Sequence, residues 1–281
     1  MNIRFRDLID QTYYFPTEEF DLQDAKLLFH GISLLDLVEQ YGSPLKFTYL
    51  PRISQNIQRA RKWFESAMEK HNYTGKYFYA YCTKSSHFRY VMEEALKNDI
   101  HIETSSAFDI EIVEKLREDG LLKQDAYVIC NGFKREAYIE NIARLINGGQ
   151  RNCIPILDNY EELSLLSDRI ERPFDIGIRI ASEEEPKFEF YTSRLGIGYK
   201  DIVPFYNNHI QKYPQATLKM LHFFINTGIR DNAYYWNELS KCLKVYVQLK
   251  KICPTLDSLN IGGGFPTKNS LAFDFDYEYM V

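Results

Sequence analysis

Seven short apolar runs punctuate the chain: 77–83 (YFYAYCT), 101–106 (HIETSS), 126–131 (AYVICN), 153–159 (CIPILDN), 175–181 (DIGIRIA), 219–225 (KMLHFFI) and 258–264 (SLNIGGG). Their starts lie 24, 25, 27, 22, 44 and 39 residues apart. Between them the apolar positions change to helical spacing. In FRYVMEEALKND, Phe88, Val91, Met92 and Leu96 share one face. In AFDIEIVEKLREDG, Phe108, Ile112 and Leu116 do the same, and Gly120 stands where a helix would stop. EAYIENIARLINGG and NYEELSLLSDRI repeat the design.

Strand and helix alternating at this interval predict βα units around a parallel sheet. Several runs are apolar without strict alternation, as expected of strands covered on both faces. Seven units in series favour an α/β fold of the (β/α)8 TIM-barrel type over an open sheet, although such a barrel needs eight strands. The tail NSLAFDFDYEYMV reads as a loop and the first turn of a helix, so the chain is expected to end before its eighth strand. Residues 1–48 stand outside the rhythm as an N-terminal segment, with a short helix at ISLLDLVEQYG, and residues 49–281 form the barrel. SPLKFTYL reads as a strand leading into it, and the longest irregular piece is 181–198.

Composition narrows the class. With 281 residues and 45% hydrophobic content, the chain can bury a large core. A net charge of -5 gives no electrostatic reason to expect nucleic acid or an anionic membrane as partner. The five cysteines form no CxxC pair and no metal-ligand spacing, which reads as reduced thiols in a cytoplasmic protein without a metal. No apolar run is long enough to span a bilayer, and charged residues interrupt the N-terminus where a signal peptide would be apolar.

In a βα barrel the chemistry sits where strands run into the loops that follow them. Lys84 closes the first apolar run. It is either a solvated strand end or a desolvated amine with a lowered pKa, suited to attack a carbonyl and form a Schiff base. Glu103, on the neighbouring strand, either holds such a nitrogen protonated or pairs with a surface lysine. Gly262, Gly263 and Gly264 form either a tight turn or a loop that presents N–H groups to a phosphate. Arg179 lies inside a strand and needs an anion, from a ligand or from a structural ion pair. His222 and Phe224 share one side of the sixth strand, where an isolated histidine is more often a satisfied core residue than a catalyst. Asn226 and Thr227 could supply hydrogen bonds at the rim.

Taken in order, these motifs resemble the fold-type III pyridoxal-phosphate decarboxylases, which act on ornithine, diaminopimelate or arginine. YAYCTK ending at Lys84 is similar to the family's cofactor-lysine motif, and ETSSAFDIEI to its second-strand motif, with Glu103 in the acidic position and Asp109 in a later one. ICNGFKREAYI resembles the biosynthetic arginine decarboxylase branch. IRIA around Arg179, TSRLGI and IGGGFP follow in the family's order, so the resemblance spans about residues 43–281.

The resemblance implies an alanine racemase-like barrel holding pyridoxal 5'-phosphate. Lys84 would hold the cofactor, with Glu103, Arg179, Phe224, Thr227 and Gly262–Gly264 around it. It also implies loss of the α-carboxylate of a basic amino acid, most readily arginine to agmatine in polyamine biosynthesis. Ornithine and diaminopimelate are the alternative substrates, and a non-catalytic or regulatory cofactor-binding homologue is the alternative role. A Schiff-base aldolase fits the motif order less well. Two departures stand out. Phe224 occupies the position of a histidine stacked on the cofactor, and Thr227 that of a serine. The acidic partner of the ring nitrogen and the C-terminal β domain, which in a homodimer completes the partner's site, have no counterpart within 281 residues. The resemblance therefore implies a chain inactive on its own.

Overall fold

The computed structural model describes residues 19–182, 195–225, 229, 231–267 and 275–281. They fall into two compact units: 19–49 with 265–267 and 275–277, and 50–264 with 278–281.

In the first unit, β1 (Phe20–Gln23) and β2 (Lys26–Phe29) form an antiparallel hairpin, and β3 (Ile32–Ser33) pairs with β2. The two turn residues, Asp24 and Ala25, both have positive φ, the backbone a two-residue hairpin turn requires. Helix α1 (Leu34–Tyr41) follows, its first turn capped by Ser33, whose Oγ accepts from Asp36 N at 3.2 Å. Residues 43–50 form no strand, contrary to expectation. The alternating aromatics there are used in ring contacts instead: Phe47 meets Phe29 edge-on, and Tyr49 stacks on His30 with centroids 4.0 Å apart.

The second unit carries the repeating pattern. It opens with α2 (Pro51–Lys70), a helix with no counterpart among the expected elements, and continues through β4 (Ala80–Cys82), α3 (Arg89–Leu96), β5 (His101–Thr104) and α4 (Ala107–Glu118). Next come β6 (Val128–Cys130), α5 (Glu136–Asn147), β7 (Cys153–Leu157), α6 (Glu161–Ser167) and β8 (Phe174–Ala181). The short β9 (Ile197–Gly198), α7 (Ile202–Asn208), β10 (Ala216–Phe224), α8 (Asn232–Ile252), β11 (Ser258–Asn260) and α9 (Tyr277–Met280) complete it, α9 beginning at the border of the two units. Seven strands pair in parallel in the order β4-β5-β6-β7-β8-β10-β11, with β9 off this path on β8. Each of the seven apolar runs read from the sequence overlaps one of them, although β8 and β10 begin before their runs, at Phe174 and Ala216.

Strand parity sorts the side chains into two cores. On one face Ile129, Ile154, Ile156 and Met220 form an apolar cluster with Ala80 packed against it. On the other face of β4, Tyr79 and Tyr81 pack with Ile57 of α2 and Ala95 of α3. The sheet is strongly curled: a side chain of β11 reaches one of β5, although four strands separate them along the sheet. Gly177 permits the inner packing, since a Cβ there would lie 2.4 Å from Ile156 Cδ1.

Two expected helix faces need correction. Phe88 and Phe108 are 64% and 76% exposed. Phe88 is the residue before the first turn of α3 and Phe108 lies in the first turn of α4, at the ends nearest the C-terminal strand termini. The buried face of α4 is Asp109, Ile110, Val113 and Leu116.

Candidate active site

Directly above the apolar cluster, the inner face of the sheet turns polar. In-register pairing sets Arg179 of β8 beside His222 of β10, and His222 beside Asn260 of β11. Asp158, two residues beyond Ile156 and on the same side, lies 3.5 Å from Arg179 across the next strand pair. Asn260 then reaches over the barrel to Glu103 of β5, and Glu103 meets Asn131 at the end of β6. The result is a polar layer of six side chains on an apolar floor.

Glu103 is pinned at both oxygens. Asn131 Nδ2 donates to its Oε1 at 3.0 Å, and Asn260 Nδ2 donates to its Oε2 at 3.0 Å. Asp158, Arg179 and His222 are all buried. Among the described residues, neither oxygen of Asp158 and not His222 Nδ1 has a hydrogen-bond partner. Burial depresses the His222 pKa, only partly countered by Glu103, so the ring is held neutral. Buried polar atoms left this way are costly unless a ligand or water completes them.

Lys84 stands two residues beyond Cys82, the last residue of β4, and Cys82 is in register with Glu103. The Cys82 thiol, pushed up to about 11 by burial and then by Glu103, has Lys84 in electrostatic reach. Lys84 therefore belongs to the same mouth. It is exposed, because the strand has ended before it: of its two readings, the described residues supply the solvated strand end and not the desolvation.

The glycine loop follows β11. Gly262 and Gly264 have φ of 70° and 81°, in the left-handed region. A Cβ on Gly262 would lie 2.4 Å from Phe223 O, whereas one on Gly263 would meet nothing within 4 Å. The three glycines are thus not equivalent. Gly262 donates its N–H to Asn260 Oδ1 at 2.8 Å and serves the turn. Phe224 lies against this loop, 3.6 Å from the Cβ position of Gly264, and the Arg179 guanidinium sits 5.4 Å from its ring centroid. Thr227, with Asn226, lies outside the described residues, as does the first half of TSRLGI. Asp109 is taken by the β5–α4 loop, accepting from Ser105 N at 2.7 Å.

Sequence reasoning passed over Asp158, Asn131 and Asn260, each inside or next to a run it marked. It also passed over Lys134, whose fully buried ammonium pairs with Glu162 at 3.1 Å and donates to the carbonyls of Gly132 and Ile156. Parity alone could have found Asp158, two residues after an inward isoleucine. A cleft of about 360 Å3, lined in part by Gln150, Arg151, Arg172, Asp175 and Thr217, lies at the opposite strand ends and holds none of the expected site residues. Among the described residues no cluster of His, Cys, Asp and Glu suits a metal ion, and no helix is long and apolar enough to cross a membrane.

A parallel βα sheet with a lysine at the end of its first strand and a glycine loop after its seventh agrees with a known family. Residues 54–275 match the family described as "Pyridoxal-dependent decarboxylase, pyridoxal binding domain". The chain belongs to this family. Pyridoxal phosphate is the cofactor of its defining domain. Among curated decarboxylases, the chain is 26% identical over 269 residues to biosynthetic arginine decarboxylase 2 of Synechocystis sp., covering 88% of this chain and 40% of that protein. It is also 26% identical over 266 residues to the biosynthetic arginine decarboxylase of Phocaeicola vulgatus, again covering 40% of the relative. The chain thus spans well under half the length of these relatives. Among solved decarboxylase structures, the diaminopimelate decarboxylase of M. jannaschii superposes with a TM-score of 0.79 at 17% identity, over 94% of this chain and 60% of that one. The biosynthetic arginine decarboxylase of Campylobacter jejuni gives 0.70 at 19% identity, over 94% and 46%. These structures share the fold.

The mouth fits the family's cofactor on its own chemistry. It offers an amine, a glycine loop whose Gly263 and Gly264 N–H groups are engaged by no described residue, a half-buried aromatic ring, and buried polar atoms of Asp158 and His222 that make no hydrogen bond among the described residues.

Proposed function

We propose that this chain is the cofactor-binding part of a pyridoxal-phosphate-dependent decarboxylase of a basic amino acid, arginine by preference. The observation that carries the reading is the conjunction of Lys84, the doubly held Glu103 and the glycine loop at one end of a parallel barrel sheet. When bound, pyridoxal phosphate supplies the electron sink for the pair of electrons left as a carboxylate departs. Lys84 would hold the cofactor through its amine. Gly263, Gly264 and Thr227 would receive the phosphate, with N–H groups turned to an anion. Phe224 would cover the ring by stacking, without the proton a histidine could donate. Glu103, an acceptor at both oxygens, would keep a proton on a nitrogen in front of it. Arg179, paired with Asp158, keeps positive charge beside Phe224.

The preference for arginine is supported by the two curated relatives above and by the ICNGFKREAYI stretch. Ornithine and diaminopimelate remain the alternatives. Residues 1–48 are assigned in part to the second domain of the full-length enzyme. A cytoplasmic setting goes with five free cysteines; a homodimer rests on the family resemblance alone.

The test is a titration of the chain with pyridoxal phosphate beside a Lys84→Ala variant. A visible absorption band that borohydride makes permanent, and that the variant lacks, is expected. A band equally permanent in both would remove Lys84 from its role, and no uptake by the parent would overturn the reading. Adding arginine, ornithine or diaminopimelate to the loaded chain should perturb the band most with arginine.

A further inference from the structure

Two asparagines hold Glu103 in the same way. Asn131 donates to Oε1 while its own Oδ1 accepts from Gly132 N at 2.8 Å. Asn260 donates to Oε2 while its Oδ1 accepts from Gly262 N at 2.8 Å. Gly132 and Gly262 both have positive φ, 87° and 70°, which turns each backbone N–H toward the preceding strand end. An N–H pointing at one end of an amide fixes which end is oxygen, so the amino group must face the carboxylate. Each amide is thereby oriented before it meets Glu103.

The two are not equivalent in what they connect. Asn131 joins Glu103 to the neighbouring strand, whereas Asn260 joins it across the barrel to the glycine loop, 157 residues away in sequence. Only a side chain that donates and accepts at once can do this. Aspartate would satisfy Gly262 but set a second carboxylate against Glu103, and alanine would release both ends.

We propose that Asn260 is a positioning residue that locks the glycine loop to Glu103, so that the loop's anion site and the proton-holding carboxylate are set in one geometry. The second half of this rests on the cofactor reading above; the first does not. One oxygen lone pair of each Glu103 oxygen is spent on an amide, leaving the carboxylate oriented toward the mouth with acceptor capacity to spare.

Asn260→Asp gives the lock a pH signature. Above neutral pH two facing carboxylates repel. As pH falls, one proton shared between them restores a donor, and the contact is repaired. The other charged or titratable groups in electrostatic reach are Cys82 of β4 and Lys84 just beyond it, with Asp109 near Cys82, and His222 of β10, with Arg179, Asp158 and Lys134 near it. They are common to parent and variant, so the difference between the two isolates the pair.

The experiment measures melting temperature of the cofactor-free chain from pH 5 to pH 8, for the parent, Asn260→Asp, Asn260→Ala and Asn260→Asp combined with Glu103→Gln. The Asp variant should melt below the parent at pH 8, with the deficit closing toward pH 5. The Ala variant should show a deficit that does not change with pH. The double variant, which again pairs an amide with a carboxylate, should lose the pH dependence and recover much of the deficit. Pyridoxal phosphate should bind the Asp variant at least tenfold more weakly than the parent at pH 8, and regain affinity at pH 6. A deficit in the Asp variant that is flat with pH and unrepaired in the double variant would overturn the lock. Undiminished cofactor affinity at pH 8, in a variant that does show the melting signature, would overturn the positioning role alone. A parent that takes up no pyridoxal phosphate would overturn that role together with the reading beneath it.

Discussion

At the residue scale, the glycines after β11 divide their work by backbone conformation. Gly262→Ala would force a Cβ to 2.4 Å from Phe223 O at a φ of 70°, so it should cost about 2 kcal/mol or more in urea unfolding. Gly263→Ala adds a methyl in open space and should leave stability within about 0.5 kcal/mol, while weakening cofactor binding. Equal stabilities for the two variants would contradict the division. The Lys134–Glu162 pair makes a second residue-scale prediction. Its side chains are 0% and 2% exposed, and burial pushes the Glu162 carboxyl up despite Lys134. Glu162→Ala should cost about 3–5 kcal/mol, because it strands a buried ammonium and two backbone N–H groups, those of Lys134 and Asp158. Glycines, Lys84, Glu103 and Arg179 were legible in the sequence because each is out of place in an apolar strand or its end. Lys134 was not, since a lysine in a charged loop gives no local sign that the chain will close over it.

Elements were legible wherever local periodicity and burial agree. All seven inner strands follow from their apolar runs. The helix faces were misjudged at Phe88 and Phe108 because periodicity states which residues share a side, not whether a neighbour reaches the helix end to cover it. Packing between β7 and β8 is the element-scale test. Gly177→Ala would overpack against Ile156 Cδ1 and should cost about 1–3 kcal/mol. Ile156→Val removes that atom, at a cost of about 0.5–1.5 kcal/mol when made alone. The double variant should be no less stable than Gly177→Ala, a non-additivity read from urea midpoints. Simple addition of the two losses would place the clash elsewhere.

At the scale of the whole molecule, two histidines, His222 buried and His101 half-buried, contribute to the acid limb of stability. Burial lowers the pKa of both His101 and His222 below the unfolded value of 6.5. As pH falls below 6.5, the unfolded chain takes up protons that the native state refuses, so stability present above that value is lost below it. Each histidine contributes at most about 1.4 kcal/mol per pH unit. His222→Asn should flatten the loss between pH 6.5 and 5 in urea titrations. An unchanged slope would mean that the ring takes up its proton equally in the folded and unfolded chain.

The sequence by itself determined the βα rhythm, the number of inner strands and the candidates at their ends, because strand parity, helix period and glycine placement are local properties. Only the tertiary structure decided that Glu103 is held by Asn131 and Asn260, that Asp158, Arg179 and His222 complete a buried polar layer, and that Lys84 stands exposed beyond its strand. Those facts depend on how strongly the sheet curls. Curvature comes from the summed twist and inner packing of seven strands, and it brings Asn260 to Glu103 across 157 residues that carry no local sign of the meeting.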